Sequence, residues 1–308
     1  MNEAIVKRKG GTDFSVIVST RNRAGFLRGC LDSIASQDFD RARFEVIAVD
    51  NGSSDGTAAL LEAESRRGRF ALKIVNEPEP GLSVARNRGA ACAKGDVLVF
   101  LDDDAVVEPG WLAAYDAHFA AHPRAAVQGR IVPRFQGGKP MWIDDTLQLY
   151  YGLMDEGERA GPLRGNLHGG NFAVTLADFR RLGGFREDLG AGRAGLGEDS
   201  EFCMRARAAG LPVRYEPRAL IRHIIPSEKA TRGEALRRCY RRGFCQPLFK
   251  EYREENLPRM LGGFLRDCAV RTADAFGADD PARRMQAWCA TAEHFGRVVQ
   301  IVKGGRRG

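Results

Sequence analysis

Residues Phe14 to Ser19, FSVIVS, form a short apolar run rich in β-branched side chains, after which Ala24, Leu27, Cys30, Leu31 and Ile34 recur at helical spacing. That change of period predicts a strand followed by an amphipathic helix. The unit recurs: FEVIAVD (44–50) precedes a helix through 58–63, FALKIVN (70–76) precedes one near 84–93, and DVLVFLD (96–102) follows. Further on, a helix is expected over 109–122 and a strand over 126–132. GGNFAVTL (169–176) and LPVRYEP (211–217) read as strands flanking a helix that opens near GEDSEFCMRARAAG (197–210). Alternating strands and helices, with strands apolar throughout, predict an α/β fold with a Rossmann-like, mainly parallel sheet flanked by helices. Between 133 and 167 the pattern dissolves into a Gly/Pro-rich, aromatic stretch of the kind that carries functional loops. Beyond Pro226 the chain reads as helices with charged faces, which places a domain boundary there and makes 226–308 a helical C-terminal extension.

Composition narrows this picture only a little. With 44% hydrophobic residues in 308, the chain can bury a substantial core, and disorder is excluded as the default. A net charge of +7 suits an anionic partner, whether a nucleotide, nucleic acid or an acidic membrane face. The seven cysteines show no C-x-x-C spacing, which argues against a zinc site or disulfide framework and for reduced thiols in the cytosol. The start, MNEAIVKRKGGTD, lacks the apolar core of a signal peptide, and no apolar run nears the roughly 20 residues a bilayer span needs. A soluble protein is expected, peripheral to a membrane at most.

Candidate chemistry gathers where open α/β sheets bind ligands, at the carboxyl ends of the strands. Asp102, Asp103 and Asp104 stand side by side at the end of an apolar strand. Two carboxylates about 5 Å apart repel by roughly 3 kcal/mol at an effective dielectric near 20, so a cation or a solvated turn must relieve them. Strand alternation, if it persists, sends Asp102 and Asp104 to one side, able to meet one Mg²⁺ or Mn²⁺ with phosphate oxygens completing the shell. The bland alternative is a turn whose acids cap the helix near Pro109. Asp50 ends another strand before NGSSDGT, a turn explicable without Asp50. STRNR (19–23) and GLSVARNRGA (81–90) bring Arg21, Asn22, Arg23, Arg86 and Asn87 to the same edge, where forked side chains read bases and phosphates.

The ordered set FSVIVSTRNR, VIAVDNGSSDGT, EPGLSVARNRGA, VLVFLDDDA, GGNFAV and GLGEDSEFCMRARAAG resembles glycosyltransferase family 2, the inverting nucleotide-sugar enzymes of GT-A fold, over about 13–225. The resemblance implies a nucleotide-binding part near 13–104 and an acceptor part near 105–225. In it Thr20, Arg21, Asn22, Asp50 and Arg86 would hold the nucleoside, with Asp102 to Asp104 as the D-x-D-type element. Asp104 would touch the metal, Asp102 assist it, Asp103 lie near the ribose, and Asp199 act as general base. Gly170, Asn171, Glu198 and Trp142 would meet acceptor or sugar, although Trp142, with Tyr150 and Tyr151, suits core packing better. His223 reads either as a further metal ligand or diphosphate contact, or as a structural histidine. The implied partners are a nucleotide-sugar donor, a UDP-sugar favoured, and a carbohydrate or lipid-linked acceptor, as in polysaccharide or glycoconjugate synthesis; nucleic acid is not expected.

Two further stretches have competing readings. GAGRAG (190–195) fits G-x-G-x-x-G but lacks the preceding apolar strand that a dinucleotide site requires, and reads as a glycine-rich loop. In ALRRCYRRGFC (235–245), Leu236, Cys239, Tyr240, Gly243 and Phe244 share one helical face and four arginines the other. Those arginines are a solvated face, a diphosphate contact through Arg241 and Arg242, or a peripheral contact with the inner face of a membrane. The rival functions are a haloacid-dehalogenase-type phosphohydrolase, for which Ala105-Val106 after the aspartates is a poor match, and a non-catalytic basic binding module.

Overall fold

The most apolar runs become adjacent parallel strands. β1 (Phe14–Thr20), β2 (Phe44–Asp50), β3 (Ala71–Asn76) and β4 (Val97–Asp102) lie in the order β3-β2-β1-β4, joined through helices α1 (Ala24–Ala35), α2 (Thr57–Arg67) and α3 (Leu82–Ala91). β1, β2 and β4 are buried along nearly their whole length, as strands covered on both faces must be, while β3 is the exposed edge. The computed structural model describes residues 13–248 and 280–304, with Gly262, Leu265 and Cys268; the N-terminal stretch and part of the helical extension read from sequence lie outside these.

After β4 the sheet changes direction. β5 (Ala105–Val107), α4 (Trp111–Ala121), β6 (Ala126–Phe135), β7 (Gly161–Pro162), β8 (Asn171–Thr175), α6 (Leu176–Arg181), α7 (Glu198–Ala208) and β9 (Val213–Ile225) follow, with a short helix α5 (Asp145–Gln148) before β7. The order continues β4-β8-β6-β9-β5, with β8 antiparallel to β4 and β7 added to β9. Phe100 of β4 stacks on Phe172 of β8 at 5.0 Å between centroids, and Phe179, Phe185 and Phe202 close around the pair. This aromatic cluster seats the first turns of α7 beneath the sheet's switch point.

β9 is longer than its sequence suggested. Charged residues interrupt it, yet Glu216 accepts hydrogen bonds from Arg218 and faces His118, so its charges are compensated within the fold. The run therefore extends to Ile225 and carries His223 opposite Ala105.

Two compact units emerge: 13–132, 154–188 and 198–223 form the first; 133–153, 189–197 and the residues from 224 onward form the second. This differs from a single cut after 225, because the irregular 133–153 and the glycine-rich 189–197 group with the C-terminal helices. The second unit has its own core of Ile143, Leu147, Tyr151, Ile225, Ala235, Cys239, Met285 and Cys289. Its helices α8 (Arg232–Cys245) and α9 (Pro281–Gly304) meet through glycine: a Cβ on Gly243 would fall 1.7 Å from the Glu293 carbonyl oxygen, and one on Gly296 2.1 Å from that of Tyr240. Residues 190–195 make a glycine turn closed by a Gly190–Gly195 bridge, without the strand-to-helix context of a dinucleotide site.

Candidate active site

Parallel register sets the site's edge. Thr20 lies opposite Asp50, and Ser19 opposite Asp102, so three strand ends open side by side. The loops that follow are tied together. Asn22, in the left-handed region at φ 54°, accepts from the Ser54 backbone N–H at 2.7 Å and donates its own backbone N–H to Ser53 Oγ at 2.9 Å. Asp50 accepts from the Ser53 N–H at 2.9 Å, so this turn does use Asp50, contrary to the sequence reading; the carboxylate folds back as Asp commonly does in turns. Arg21 is exposed beside them, while Thr20 is buried with its hydroxyl beside Asp103, where it favours the carboxylate charge.

The aspartate triplet does not keep strand alternation. β4 stops at Asp102 and the chain turns at Asp103 and Asp104. The carboxylates consequently separate. Asp102 accepts from Arg86 Nη2 at 2.8 Å, whereas Asp104 takes Arg23 Nη1 at 2.5 Å, with Asp103 3.8 Å from the same nitrogen. Asp102 and Asp104 thus hold different arginines, in place of the common side that strand alternation predicts. What stands beside Asp104 is His223, its Nε2 3.4 Å from Oδ1. The cap reading fails too, since α4 begins at Trp111 with Gly110 as its N-cap and no side-chain cap.

Environment splits the two remaining acids electrostatically. Burial, then the Asp104 charge, pushes the Asp103 carboxyl up to about 7, against the pull of Arg23. Burial also opposes the charge on Asp104, but His223 and Arg23 outweigh it and bring its carboxyl down to about 2. Thermal stability of the ligand-free protein should therefore fall as pH rises towards neutrality. The folded state holds the Asp103 proton to about 7 while the unfolded chain releases it near 3.8, so this contribution is complete below the lower value and lost through the upper one. Melting curves at about pH 5.5 and pH 8 test this; a melting temperature that climbs across that span contradicts it.

Arg86 is only 3% exposed, which corrects its expected contact with the nucleoside: its guanidinium is already engaged inside the protein. Nη1 donates to Glu198 Oε1 at 2.8 Å while Nη2 holds Asp102. Glu198, read as a sugar contact, is buried here; burial, together with the neighbouring Asp199 charge, raises its carboxyl against the pull of Arg86. Two glycines thread this cluster because nothing larger fits. A Cβ on Gly169 would meet Arg86 Nη1 at 2.4 Å, and one on Gly170 would meet Asp102 Oδ2 at 2.6 Å. The Gly169 N–H donates to Asp199 Oδ2 at 2.9 Å, and the Ser200 N–H to Oδ1 at 2.6 Å. Asp199, half-buried at the start of α7, is thereby oriented by two backbone donors, in a first turn where acidic groups are also favoured by the helix dipole.

Asn171 is the clearest correction. Read as a sugar contact, it is wholly buried: its Oδ1 accepts from Trp111 Nε1 at 2.8 Å and Tyr115 OH at 2.9 Å, and its Nδ2 donates to the carbonyls of Arg130 and Ala219. It joins β8 to α4, β6 and β9. Asn51, not singled out from sequence, does comparable work beside the site. Its Nδ2 donates to the carbonyls of Glu77 and Glu79, and its Oδ1 accepts from Gly81 N–H, shaping the loop into α3. The Asp-Asn pair at the end of β2 was the available signal. Trp142, Arg241 and Arg242 belong to the second unit. Trp142 packs against that unit's core, Arg242 lies 5.4 Å over the Tyr150 ring, and Arg241 is exposed.

A divalent cation fits what Asp104 and His223 offer. A carboxylate oxygen and an imidazole nitrogen in proximity suit Mn²⁺ or Mg²⁺ once phosphate oxygens join. Among the described residues, no cluster of three or more His, Cys, Asp or Glu forms a protein-only cage, so a bound ion would rely on its nucleotide for ligands.

Residues 15–181 match the family model described as Glycosyl transferase family 2. The chain is 28% identical over 258 residues to the pre-mycofactocin glycosyltransferase of Mycobacterium tuberculosis, covering 82% of this chain and 50% of that protein. It is 29% identical over 221 residues to the succinoglycan biosynthesis protein ExoM of Rhizobium meliloti, covering 69% and 67%. The chain thus spans about half the length of the mycobacterial relative. Among solved structures, it resembles the mannosyltransferase PcManGT from Pyrobaculum calidifontis in complex with GDP-Man and Mn²⁺, with TM-score 0.60 and 21% identity over 97% of this chain and 76% of that one. It also resembles residues 1–349 of S. aureus TarS, with TM-score 0.56 and 18% identity over 92% and 91%. The GT-A fold expected from the sequence is the fold these neighbours share with it.

Proposed function

The chain belongs to glycosyltransferase family 2, and from that premise we propose that it moves a sugar from a nucleoside diphosphate to an acceptor hydroxyl, inverting the anomeric carbon. The observation that carries this reading is one unbroken set of contacts: Asp102 to Arg86, Arg86 to Glu198, and from adjoining Asp199 to Gly169. It joins the donor-side strand ends to the residue best placed to take a proton. Asp199 accepts the proton of the attacking hydroxyl, its orientation held by the Gly169 and Ser200 N–H groups. Asp104 and His223 would hold Mg²⁺ or Mn²⁺, which supplies positive charge to the departing diphosphate. Asp50, Thr20, Arg21, Asn22 and Asp103 line the nucleoside side; Gly170 bounds the sugar side by close approach to Asp102. A single base with a charge-stabilised leaving group gives one displacement, hence inversion.

The PcManGT complex with GDP-Man and Mn²⁺, and that of TarS with UDP-GlcNAc, support a nucleotide-sugar donor. UDP is the favoured nucleotide. A carbohydrate or lipid-linked acceptor follows from the same reading, and the exposed Arg237 and Arg241 of α8 suit peripheral contact with an anionic membrane. No helix among the described residues is long and apolar enough to cross one. Thermal shifts with UDP, GDP, dTDP and CDP, each with and without Mn²⁺, test the assignment. One nucleotide should stabilise the protein synergistically with the metal. No shift with any pair would refute it.

A further inference from the structure

Arg23 sits on the oxygen of Asp104 opposite the one that faces His223. Its Nη1 is 2.5 Å from Asp104 Oδ2 and 3.8 Å from Asp103 Oδ1. The arginine side chain is 43% exposed, the two carboxylates 13% and 10%, so the cation is the solvent-facing member of the trio. Its backbone, by contrast, is held. Arg23 occupies the N-cap position of α1, follows the left-handed Asn22, and its N–H points at Thr57 Oγ1 at 3.4 Å. The guanidinium lies 5.6 Å over the Phe26 ring, so a change of partner for it requires only side-chain rotation.

A divalent ion on Asp104 would share that carboxylate with a guanidinium at contact distance. Like charges so close, beside largely buried acids, are weakly screened, and both cannot be held tightly at once. A nucleoside diphosphate resolves the competition, because its phosphate oxygens accept a guanidinium fork as readily as a carboxylate does. We propose that Arg23 is an internal counter-ion that keeps a divalent cation off Asp104 until a nucleotide brings phosphate oxygens to receive the guanidinium. This rests on the donor-site reading above and adds to it an order of binding: metal affinity depends on nucleotide, and by reciprocity nucleotide affinity depends on metal.

The test measures Mn²⁺ binding by loss of the free-ion electron paramagnetic resonance signal. Wild type, Arg23→Gln and Arg23→Lys are each titrated alone and with UDP, GDP, dTDP or CDP, and their melting temperatures recorded. Wild type and Arg23→Lys should bind Mn²⁺ weakly alone and about tenfold or more tightly with one of the nucleotides. Arg23→Gln should bind Mn²⁺ alone about tenfold more tightly than wild type, so that the gain on adding nucleotide, which still supplies ligands to the ion, shrinks by about the same factor. Equal affinities of wild type and Arg23→Gln for Mn²⁺ alone, at matched melting temperatures, overturn the inference and leave the donor site standing. Failure of wild type to bind Mn²⁺ with any of the four nucleotides overturns both.

Discussion

Asp199→Asn should lower the turnover of sugar transfer about a thousandfold while leaving nucleotide and Mn²⁺ binding within about twofold, the loss expected when a positioned base is removed. The two side chains have the same shape, and the asparagine carbonyl oxygen can still accept from one of the two N–H groups, Gly169 and Ser200, that Asp199 now holds, so melting temperature is recorded as a control for the lost second bond. What disappears is the capacity to take a proton. Initial rates of nucleoside diphosphate release at saturating acceptor, with thermal shifts recorded alongside, separate chemistry from binding. Activity above about a tenth of wild type would remove Asp199 from the mechanism.

The largest stability effect should come from Arg86→Met, which is expected to destabilise the protein by about 3–5 kcal/mol, as loss of one partner from a buried ion pair does. Methionine fills much of the space, so cavity formation is not the cause. Asp102 and Glu198 would instead face each other across an apolar side chain, with Asp199 adjoining. Glu198, already raised by burial and by Asp199, would lose the charge that opposes the rise. Its folded state would then hold a proton to still higher pH, and stability would fall more steeply as pH rises than in wild type. Urea denaturation at about pH 6 and pH 8 reads both effects. Adding Glu198→Gln should recover part of the loss, and a double variant no more stable than the single one would show that Arg86 acts by packing. Arg86→Lys, with one point charge in place of a fork, should serve only one of the two acids.

The acidic strand ends were legible because they depend on local pattern. Apolar runs of similar length, joined by amphipathic helices, become parallel strands whose last residues align, and Thr20, Asp50 and Asp102 follow from that. Where partners come from far along the chain, the residues alone misled. Asn171 looked like a ligand contact because nothing near it in sequence reveals Trp111, Tyr115 or the Ala219 carbonyl. Arg86 looked available for the same reason, its acids lying 16 and 112 positions away. The aspartate triplet was misassigned by a subtler route: alternation is a property of strands, and this strand ends on the first of the three. The helical end of the second unit was anticipated, but not its recruitment of 133–153 and 189–197 from within the preceding stretch, which no linear boundary can express.

The core shared by α5, α8 and α9 makes the C-terminal helices poor candidates for removal. Met285 and Cys289 of α9 sit in the same buried cluster as Ile143, Leu147 and Tyr151, and the Gly243 and Gly296 crossing leaves no room for water between the two backbones. A shortened protein ending near residue 226 would bare an oily surface on the 133–153 segment. It would be expected to precipitate on overexpression rather than serve as a minimal enzyme.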